Sequence, residues 1–387
     1  MRILLAESLS YFDLGGAAKA CRGLIDGLAQ RGHSCVVVSI ENRHELEEKG
    51  LKVDETRAAM RLEVNGIEIF AVENAREQWR PLLECFRTFN PDWIFISEQR
   101  ALLLATALEY DPSRIILLVQ TIVLPAPSKS AAVIKEQVRS LVANIAGVLT
   151  VSNYMRDYIK HWSGLDSTAI YLPSYGCGPF TNFHNFDSGY VTMLNPCAYK
   201  GISIFLPLAR SLPEIKFAVV TFWGTTQQDR AALAGLPNVK QLKPFANLDN
   251  LFSRTKVLLV PSLWGEAFGQ IVVDAMLRGI PVIASNAGAL PEAKLGVDYV
   301  LPVNMIERYV FDREMQVQPV VPEQDVTQWT ETLRGLLTDR ALYERVSHDS
   351  REAALAFVSS LGPQRIEQYL GGLTANGKRA AANSAAA

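Results

Sequence analysis

Two acidic residues flank a position where the sequence predicts that a helix begins. Glu266 lies in the turn after an apolar, strand-like run, and Asp274 lies inside the following helix, roughly 7–8 Å along its axis from Gly269. The start of a helix favours a phosphate, and the backbone amides available there are those of Phe268, Gly269 and Gln270. An acid, an anion site and a second acid suit a ligand with hydroxyl groups at both ends and a diphosphate in the middle, as in a nucleotide sugar.

A plainer interpretation is that Glu266 caps the helix and Asp274 is a solvated surface acid. The neighbouring residues favour the first interpretation. The run Pro-Ser-x-Trp-x-Glu-x-Phe-Gly, followed by an acid with Ala-Met and by Arg-Gly-Ile-Pro-Val-Ile-Ala-Ser, resembles the signature of the family 4 retaining glycosyltransferases. The resemblance implies that Glu266 faces the donor sugar and that Asp274, one methylene shorter than the family's glutamate, holds the ribose hydroxyls.

Short apolar strands alternate with helix-length stretches along the chain, which predicts parallel sheets covered on both faces. Strands are expected near Ile3–Ala6, Cys35–Ile40, Ile67–Val72, Trp93–Ser97, Ile115–Val119, Val148–Val151, Val191–Leu194, Phe217–Thr221, Val239–Leu242, Val257–Val260 and Pro281–Ala284. The fold class is therefore α/β with two doubly wound, Rossmann-like domains facing a cleft. This is the GT-B architecture, which the resemblance also implies.

The domain boundaries follow from a stretch that is rich in Gly, Pro, Asn and Phe and has no periodicity. Residues 1–175 would form the acceptor-side domain, 176–189 a linker and 190–358 the nucleotide-sugar-binding domain. Residues 359–374 would form a final helix, which in this family crosses back to the first domain. The Ala-rich residues 375–387 are expected to be a disordered tail.

A loop with two adjacent glycines, Gly15 and Gly16, follows the first strand and precedes a helix. Glycines allow positive φ and the close approach of a ligand, although simple turn geometry explains them equally well. The sequence lacks Gly-x-Gly-x-x-Gly, which argues against a dinucleotide site. In the family, this loop closes over the donor phosphates.

A lysine and an asparagine follow the first strand of the second domain. The family places Arg or Asn at the position of Asn195 and a lysine at that of Lys200, where the cations meet the diphosphate. Lys200 could also be a solvated loop lysine. An ammonium group can neutralise a departing nucleotide diphosphate without a metal ion. The backbone near Phe245 and Ala246 is expected to contact the base.

Gln120 stands where the family often has a histidine in the first domain. Its side chain can form a hydrogen bond with a sugar hydroxyl but cannot act as a base. Retaining transfer of this type is usually thought to use the leaving phosphate as the proton acceptor, so the absence of a histidine weakens positioning without abolishing the chemistry.

Composition is that of a globular enzyme. Of 387 residues, 49% are hydrophobic and 20% charged, and the formal charge of −2 gives no reason to expect nucleic acid binding. No run is long and apolar enough for a membrane span, the N-terminus begins directly with a strand, and the five scattered cysteines fit a cytoplasmic protein. The absence of Asp-x-Asp and of Cys/His clusters predicts that no metal ion or cofactor is needed.

The sequence thus predicts a retaining, metal-independent, hexosyltransferase-like enzyme that moves a sugar from a nucleoside diphosphate to an organic or glycan acceptor. Its catalytic residues would be Glu266, Lys200 and Gln120. Two alternatives stay open. One is an epimerase or phosphorylase of the same fold. The other is a non-catalytic protein that binds a sugar nucleotide, which the combination of Gln120, Asn195 and Asp274 would suit.

Overall fold

The chain forms two compact units, described here from a computed structural model. The first comprises Met1–Gly176 and the residues from Leu361 onward, and the second comprises Cys177–Ser360. The structure describes residues 1–98, 102–121, 140, 142–245, 247–311 and 317–373. The predicted tail, 375–387, lies outside the described residues.

The first unit contains a nine-stranded sheet with the order β3-β4-β5-β2-β1-β6-β7-β8-β9. Its strands are β1 Arg2–Glu7, β2 Ser34–Ile40, β3 Asp54–Glu55, β4 Met60–Val64, β5 Ile67–Val72, β6 Trp93–Ser97, β7 Ile115–Val119, β8 Gly147–Thr150 and β9 Thr168–Ala169. The predicted parallel arrangement holds for the central strands, and one edge differs from it, because β4 pairs with both β3 and β5 in the antiparallel sense. The turn between β4 and β5 is Asn65-Gly66, whose φ angles of 52° and 77° suit a two-residue hairpin.

Helices cover this sheet because their apolar faces pack on the strands. They are α1 Gly16–Gln30, α2 Arg43–Glu48, α3 Trp79–Thr88, α4 Leu102–Leu108 and α5 Asn153–Ser163. Helix α1 buries Cys21, Leu24 and Leu28. Residues 364–373 are also helical and belong to this unit.

The second unit contains a six-stranded parallel sheet with the order β12-β11-β10-β13-β14-β15. Its strands are β10 Tyr190–Leu194, β11 Phe217–Val220, β12 Val239–Leu242, β13 Thr255–Val260, β14 Val282–Ser285 and β15 Val300–Leu301. A separate antiparallel hairpin consists of β16 Arg308–Phe311 and β17 Val317–Val320. The helices are α6 Ile202–Ser211, α7 Gln227–Ala234, α8 Asp249–Phe252, α9 Gln270–Met276, α10 Leu290–Ala293, α11 Thr327–Thr338 and α12 Arg340–Ser360.

The segment that sequence predicts as a linker packs against the second unit over much of its length. The amide of Phe183 donates to the carbonyl of Arg278 at 2.8 Å, and the amide of Asn185 donates to the hydroxyl of Tyr343 at 3.2 Å. Backbone hydrogen bonds of this kind fix residues that composition alone assigns to a loop.

Each large sheet has a point where the strand order reverses. In the first unit the chain proceeds outward from β1 in one direction and from β6 in the other, and in the second unit the same holds for β10 and β13. In doubly wound sheets, ligands bind beyond the carboxyl ends of the strands at this point. None of the helices in the described parts of the chain is long and apolar enough to cross a membrane.

Candidate active site

The structure brings Lys200 and Glu266 together at the strand-order reversal of the second unit. Lys200 follows β10 and Glu266 follows the neighbouring strand β13, so both lie beyond the carboxyl ends of the two central strands. The Lys200 Nζ atom lies 2.5 Å from Glu266 Oε1, and the two side chains are 22% and 11% exposed. This short ion pair rules out the interpretation of Lys200 as a solvated loop lysine.

Two further donors act on the same oxygen of Glu266. Ser262 Oγ donates to Oε1 at 2.5 Å and Trp264 Nε1 donates to it at 3.0 Å. Burial acts to raise the pKa of the Glu266 carboxyl, but the charge and hydrogen bond of Lys200, with the bonds from Ser262 and Trp264, hold the pKa below its usual value. Glu266 is therefore an ionised carboxylate with one oxygen fully occupied.

The loop after β14 holds the backbone of Glu266 in place. Ala289 donates its amide to the Glu266 carbonyl at 2.8 Å. Gly288 has a φ of 63°, and a Cβ atom at this position would lie 2.2 Å from the Glu266 nitrogen. Sequence reasoning did not assign roles to Ser262, Trp264 or Gly288, although all three lie in runs that resemble the family.

Asn195 directly follows β10 and is 6% exposed, with a φ of 54°. Its Oδ1 accepts a hydrogen bond from the amide of Gly224 at 3.0 Å. Its Nδ2 is buried and has no hydrogen-bond partner among the described residues. A buried amide donor without a partner is rare in proteins and indicates a position where a ligand or water can accept.

Helix α9 begins at Gln270, and Gly269, where the sequence predicts that the helix opens, is its cap residue with a φ of 92°. Because this cap residue is a glycine, it has no side chain to accept from the first amides of the helix. Asp274 is 4% exposed, which rules out its interpretation as a solvated surface acid. Its Oδ1 lies 3.8 Å from Arg278 Nη1, so the acid has a cationic neighbour within the protein. Phe268 packs beside Phe357, with ring centroids 5.8 Å apart.

The predicted base-binding residues follow β12. Phe245 is half-buried, and the Arg254 guanidinium lies 5.9 Å from the centroid of its ring. Ala246 lies outside the described residues, so the base-contacting role of this pair stays a prediction.

The double-glycine loop forms the start of α1. Gly15 is the residue before the helix and has φ −65° and ψ 152°, so it does not use the positive φ that a glycine allows. Its amide donates to Asp13 Oδ1 at 2.7 Å, which forms the turn. A Cβ atom at Gly15 would meet only the flexible Asp13 side chain, at 3.2 Å. The role of Gly15 and Gly16 at the donor phosphates stays a prediction.

Gln120 lies beyond the carboxyl end of β7, near the strand-order reversal of the first unit. Its Nε2 donates to Ser97 Oγ at 2.9 Å and to Cys21 Sγ at 3.1 Å. Because these bonds use both Nε2 protons, the amide oxygen Oε1 is the atom that can bind a ligand, and it can only accept a hydrogen bond.

A buried acid lies behind Gln120. Glu7 is the last residue of β1 and is 1% exposed, and neither of its carboxyl oxygens has a hydrogen-bond partner among the described residues. Burial raises the pKa of Glu7 well above its usual value; the neighbouring Cys21 thiol lowers it in part and the charge of Glu41 raises it. Sequence reasoning missed this acid, because an acid at the end of a strand gives no sign of burial.

No group of three or more His, Cys, Asp or Glu side chains in the described ranges is arranged to hold a metal ion. Charged side chains at the site of the second unit include the Lys200–Glu266 pair and the Asp274–Arg278 pair.

Two family models match the chain. Residues 14–172 match the model described as Glycosyltransferase Family 4, and residues 186–339 match the model described as Glycosyl transferases group 1. The chain belongs to the family 4 glycosyltransferases and has their GT-B fold.

Relatives with curated descriptions include two uncharacterized proteins in the cps region of Klebsiella pneumoniae. One is 22% identical over 334 residues, which cover 76% of this chain and 87% of the relative. The other is 54% identical over 41 residues, only 11% of either chain.

Solved structures with the same fold include sucrose-phosphate synthase from Thermosynechococcus elongatus, with a TM-score of 0.69 and 17% identity over 98% of this chain and 100% of that one. They also include HepE from Anabaena in complex with UDP-glucose, with a TM-score of 0.66 and 15% identity over 97% of this chain and 100% of that one.

Proposed function

We propose that this glycosyltransferase is retaining and metal-independent, and that it transfers a sugar from a nucleoside diphosphate to an organic or glycan acceptor. The observation that carries the proposal is the Lys200–Glu266 pair at the strand-order reversal of the second unit. The structure of HepE with UDP-glucose, which shares the fold, supports a nucleotide sugar as the donor.

Glu266 would hold the donor sugar through Oε2. Ser262, Trp264 and Lys200 all bond to Oε1, which leaves Oε2 to accept from a sugar hydroxyl. The lowered pKa keeps this carboxylate ionised, and a hydrogen bond to a charged acceptor contributes about 1.5–3 kcal/mol. This bond also fixes the orientation of the sugar carbon that reacts.

Lys200 and Asn195 would bind the diphosphate. The Lys200 ammonium can stabilise the negative charge that develops on the leaving phosphate. Its ion pair with Glu266 already holds it in place before the reaction. The Nδ2 group of Asn195, which is buried without a partner among the described residues, can donate to a phosphate oxygen without breaking a bond within the protein. Asn195 carries no charge, so Lys200 supplies the positive charge that these two positions offer.

The nucleoside would lie along α9. Asp274 would accept hydrogen bonds from the ribose hydroxyls, the amides of Phe268, Gly269 and Gln270 would face the phosphates, and the backbone at Phe245 and Ala246 would contact the base. The roles predicted for Gln120, Gly15 and Gly16, which belong to the first unit, are unchanged. These assignments, like the expected cytoplasmic location, stay predictions.

The proposed reaction breaks the bond between the sugar carbon and the diphosphate oxygen. The acceptor oxygen forms its new bond on the same face of the sugar, and its proton passes to the departing diphosphate. No side chain needs to act as a base, which is consistent with glutamine at position 120. The anomeric configuration of the donor is then retained.

Thermal-shift measurements with a panel of UDP, GDP, ADP and dTDP sugars test the proposal. A donor at 100 times its dissociation constant should add about 2.7 kcal/mol of stability. Lys200→Met should reduce the shift for the same donor. Slow release of free sugar would distinguish an enzyme from a protein that only binds the donor, whereas no shift with any nucleotide sugar would contradict the proposal.

A further inference from the structure

Four aromatic side chains form a continuous strip in the second unit. The ring centroids of Trp223 and Trp264 are 6.4 Å apart, those of Trp264 and Tyr199 are 5.3 Å apart, and those of Tyr199 and Tyr309 are 6.4 Å apart. We call these four residues the aromatic strip. Trp223 is 64% exposed and Tyr309 is 37% exposed, so both ends of the strip are accessible to a ligand.

The strip is continuous with the Lys200–Glu266 pair through Trp264. The indole Nε1 of Trp264 donates to Glu266 Oε1 at 3.0 Å, and Lys200 Nζ lies 5.0 Å from the centroid of a Trp264 ring. One ring of the strip therefore contacts both charged groups of the candidate active site.

The other end of the strip is fixed by the loop after β11 and is close to a second polar group. Gly224, the residue after Trp223, donates its amide to Asn195 Oδ1, and Asn195 Nδ2 is the buried donor without a partner in the described parts of the chain. Exposed rings thus lie beside a carboxylate oxygen that can accept and an amide nitrogen that can donate.

Packing of the core does not explain the exposed rings. The hydrophobic core of the second unit includes Phe205, Phe217 and Trp329, but neither Trp223 nor Tyr309 belongs to it. Tyr309 lies on the β16–β17 hairpin, which forms a two-stranded sheet of its own among the described strands. Large aromatic groups left at a surface beside polar groups are typical of ligand sites.

We propose that the aromatic strip binds a pyranose ring, a proposal that rests on the proposed function. A pyranose has an apolar C–H face that packs on an aromatic ring and a rim of hydroxyl groups that needs hydrogen-bond partners. Glu266, which Trp264 of the strip contacts, supplies a hydrogen-bond acceptor for that rim through Oε2. The ring can come from the sugar of the donor or from a glycan acceptor.

Calorimetric titrations of Trp223→Ala and Tyr309→Ala test the proposal, with Trp79→Ala as the matched control. Trp79 is 41% exposed and belongs to the first unit, so its replacement also removes an exposed aromatic ring but leaves the strip unchanged. The donor arm compares the best nucleotide sugar of the thermal-shift panel with its nucleoside diphosphate. The glycan arm uses maltohexaose, and a lipid arm uses phosphatidylglycerol–phosphatidylethanolamine vesicles.

If the strip holds the donor sugar, Trp223→Ala should raise the ratio of the Kd for the nucleotide sugar to that for the nucleoside diphosphate by about fivefold. If it holds a glycan, Trp223→Ala and Tyr309→Ala should weaken maltohexaose binding by a similar factor, and Trp79→Ala should not.

The proposal is overturned if the Kd ratio of the donor arm and the Kd for maltohexaose are the same in the parent and in both strip variants. It is also overturned if only vesicle binding depends on the strip, because the rings would then contact lipid. A different result would contradict the proposed function, namely that the parent protein binds none of the nucleotides.

Discussion

Lys200 Nζ and Glu266 Oε1 lie 2.5 Å apart although 66 positions separate the two residues in the chain. The parallel sheet explains this, because β10 and β13 are neighbours and both residues follow the carboxyl ends of these strands. The two groups are largely buried as a pair, so removing either leaves the other without its counter-charge. The effect of a mutation at Glu266 therefore includes its effect on Lys200, and the reverse also holds.

Glu266→Gln keeps the shape of the side chain but removes its charge. The loss of a charge-assisted hydrogen bond, typically about 1.5–3 kcal/mol, should reduce turnover more than tenfold while the fold stays intact. Turnover and melting temperature are both measured, with Glu63→Gln as the control because Glu63 is an exposed acid of β4. Unchanged values of both quantities in the Glu266 variant would exclude this residue from the site.

Asp274→Ala should weaken the nucleoside diphosphate and the intact donor to a similar extent, because both contain the ribose. The expected loss is at least tenfold in Kd, as for a hydrogen bond to a charged group. Arg278→Met is the control, since Arg278 is the cationic neighbour of Asp274 within the protein. Equal losses in the two variants would show that Asp274 acts only by holding Arg278 and the helix.

Cys21→Ala combined with Ser97→Ala should release the amide of Gln120, because these are the two groups that accept its Nε2 protons. We expect the KM for the acceptor to rise severalfold with little change in the Kd for the nucleoside diphosphate. Cys85→Ala removes an equally buried thiol of the same unit and serves as the control. An acceptor KM that is the same in the double variant and in the control would show that the orientation of Gln120 is irrelevant.

Lys294 predicts an unusual dependence of stability on pH. Its side chain is fully buried, Nζ donates to the Val282 carbonyl at 2.7 Å, and burial lowers the pKa from 10.5 to about 7. Between these values the unfolded chain binds more protons than the folded one, so the free energy of unfolding should rise with pH. This contribution is at most about 1.4 kcal/mol per pH unit and is lost as pH falls toward 7.

Lys294→Met should remove this dependence of the free energy of unfolding on pH. It should also stabilise the protein near pH 7, because no amine then has to lose its proton on burial. Chemical denaturation between pH 7 and about 9 measures the slope, and Lys240→Met, at an exposed lysine, is the control. A slope that is the same in the parent and in Lys294→Met would mean that the buried amine does not titrate in this range.

The sequence predicts those parts of the fold and site that depend on local patterns. Apolar runs locate the central strands, and the run around Glu266 identifies the acid that precedes α9, whose cap residue is Gly269. The Asn65-Gly66 hairpin was missed although its dipeptide is a strong turn signal, because the alternation of strands and helices favoured a parallel sheet.

Contacts between distant loops could not be predicted. The bond from Gly224 to Asn195 joins residues 29 positions apart, and the approach of Gly288 to Glu266 depends on how the loops after β13 and β14 pack. The burial of Glu7 has the same origin. An acid at a strand end is ordinarily solvated, and only the packing of α1, β1 and β6 reveals that this one is not.

The most direct test of the central claim follows the anomeric signal of the sugar by NMR during donor turnover in excess EDTA. Retaining, metal-independent chemistry predicts that the sugar is first released or transferred with the anomeric configuration of the donor, and that chelation leaves the rate unchanged. Glu266→Gln should lower this rate more than tenfold under the same conditions. An initial product of inverted configuration, or turnover that disappears in EDTA and returns with magnesium or manganese, would contradict the account.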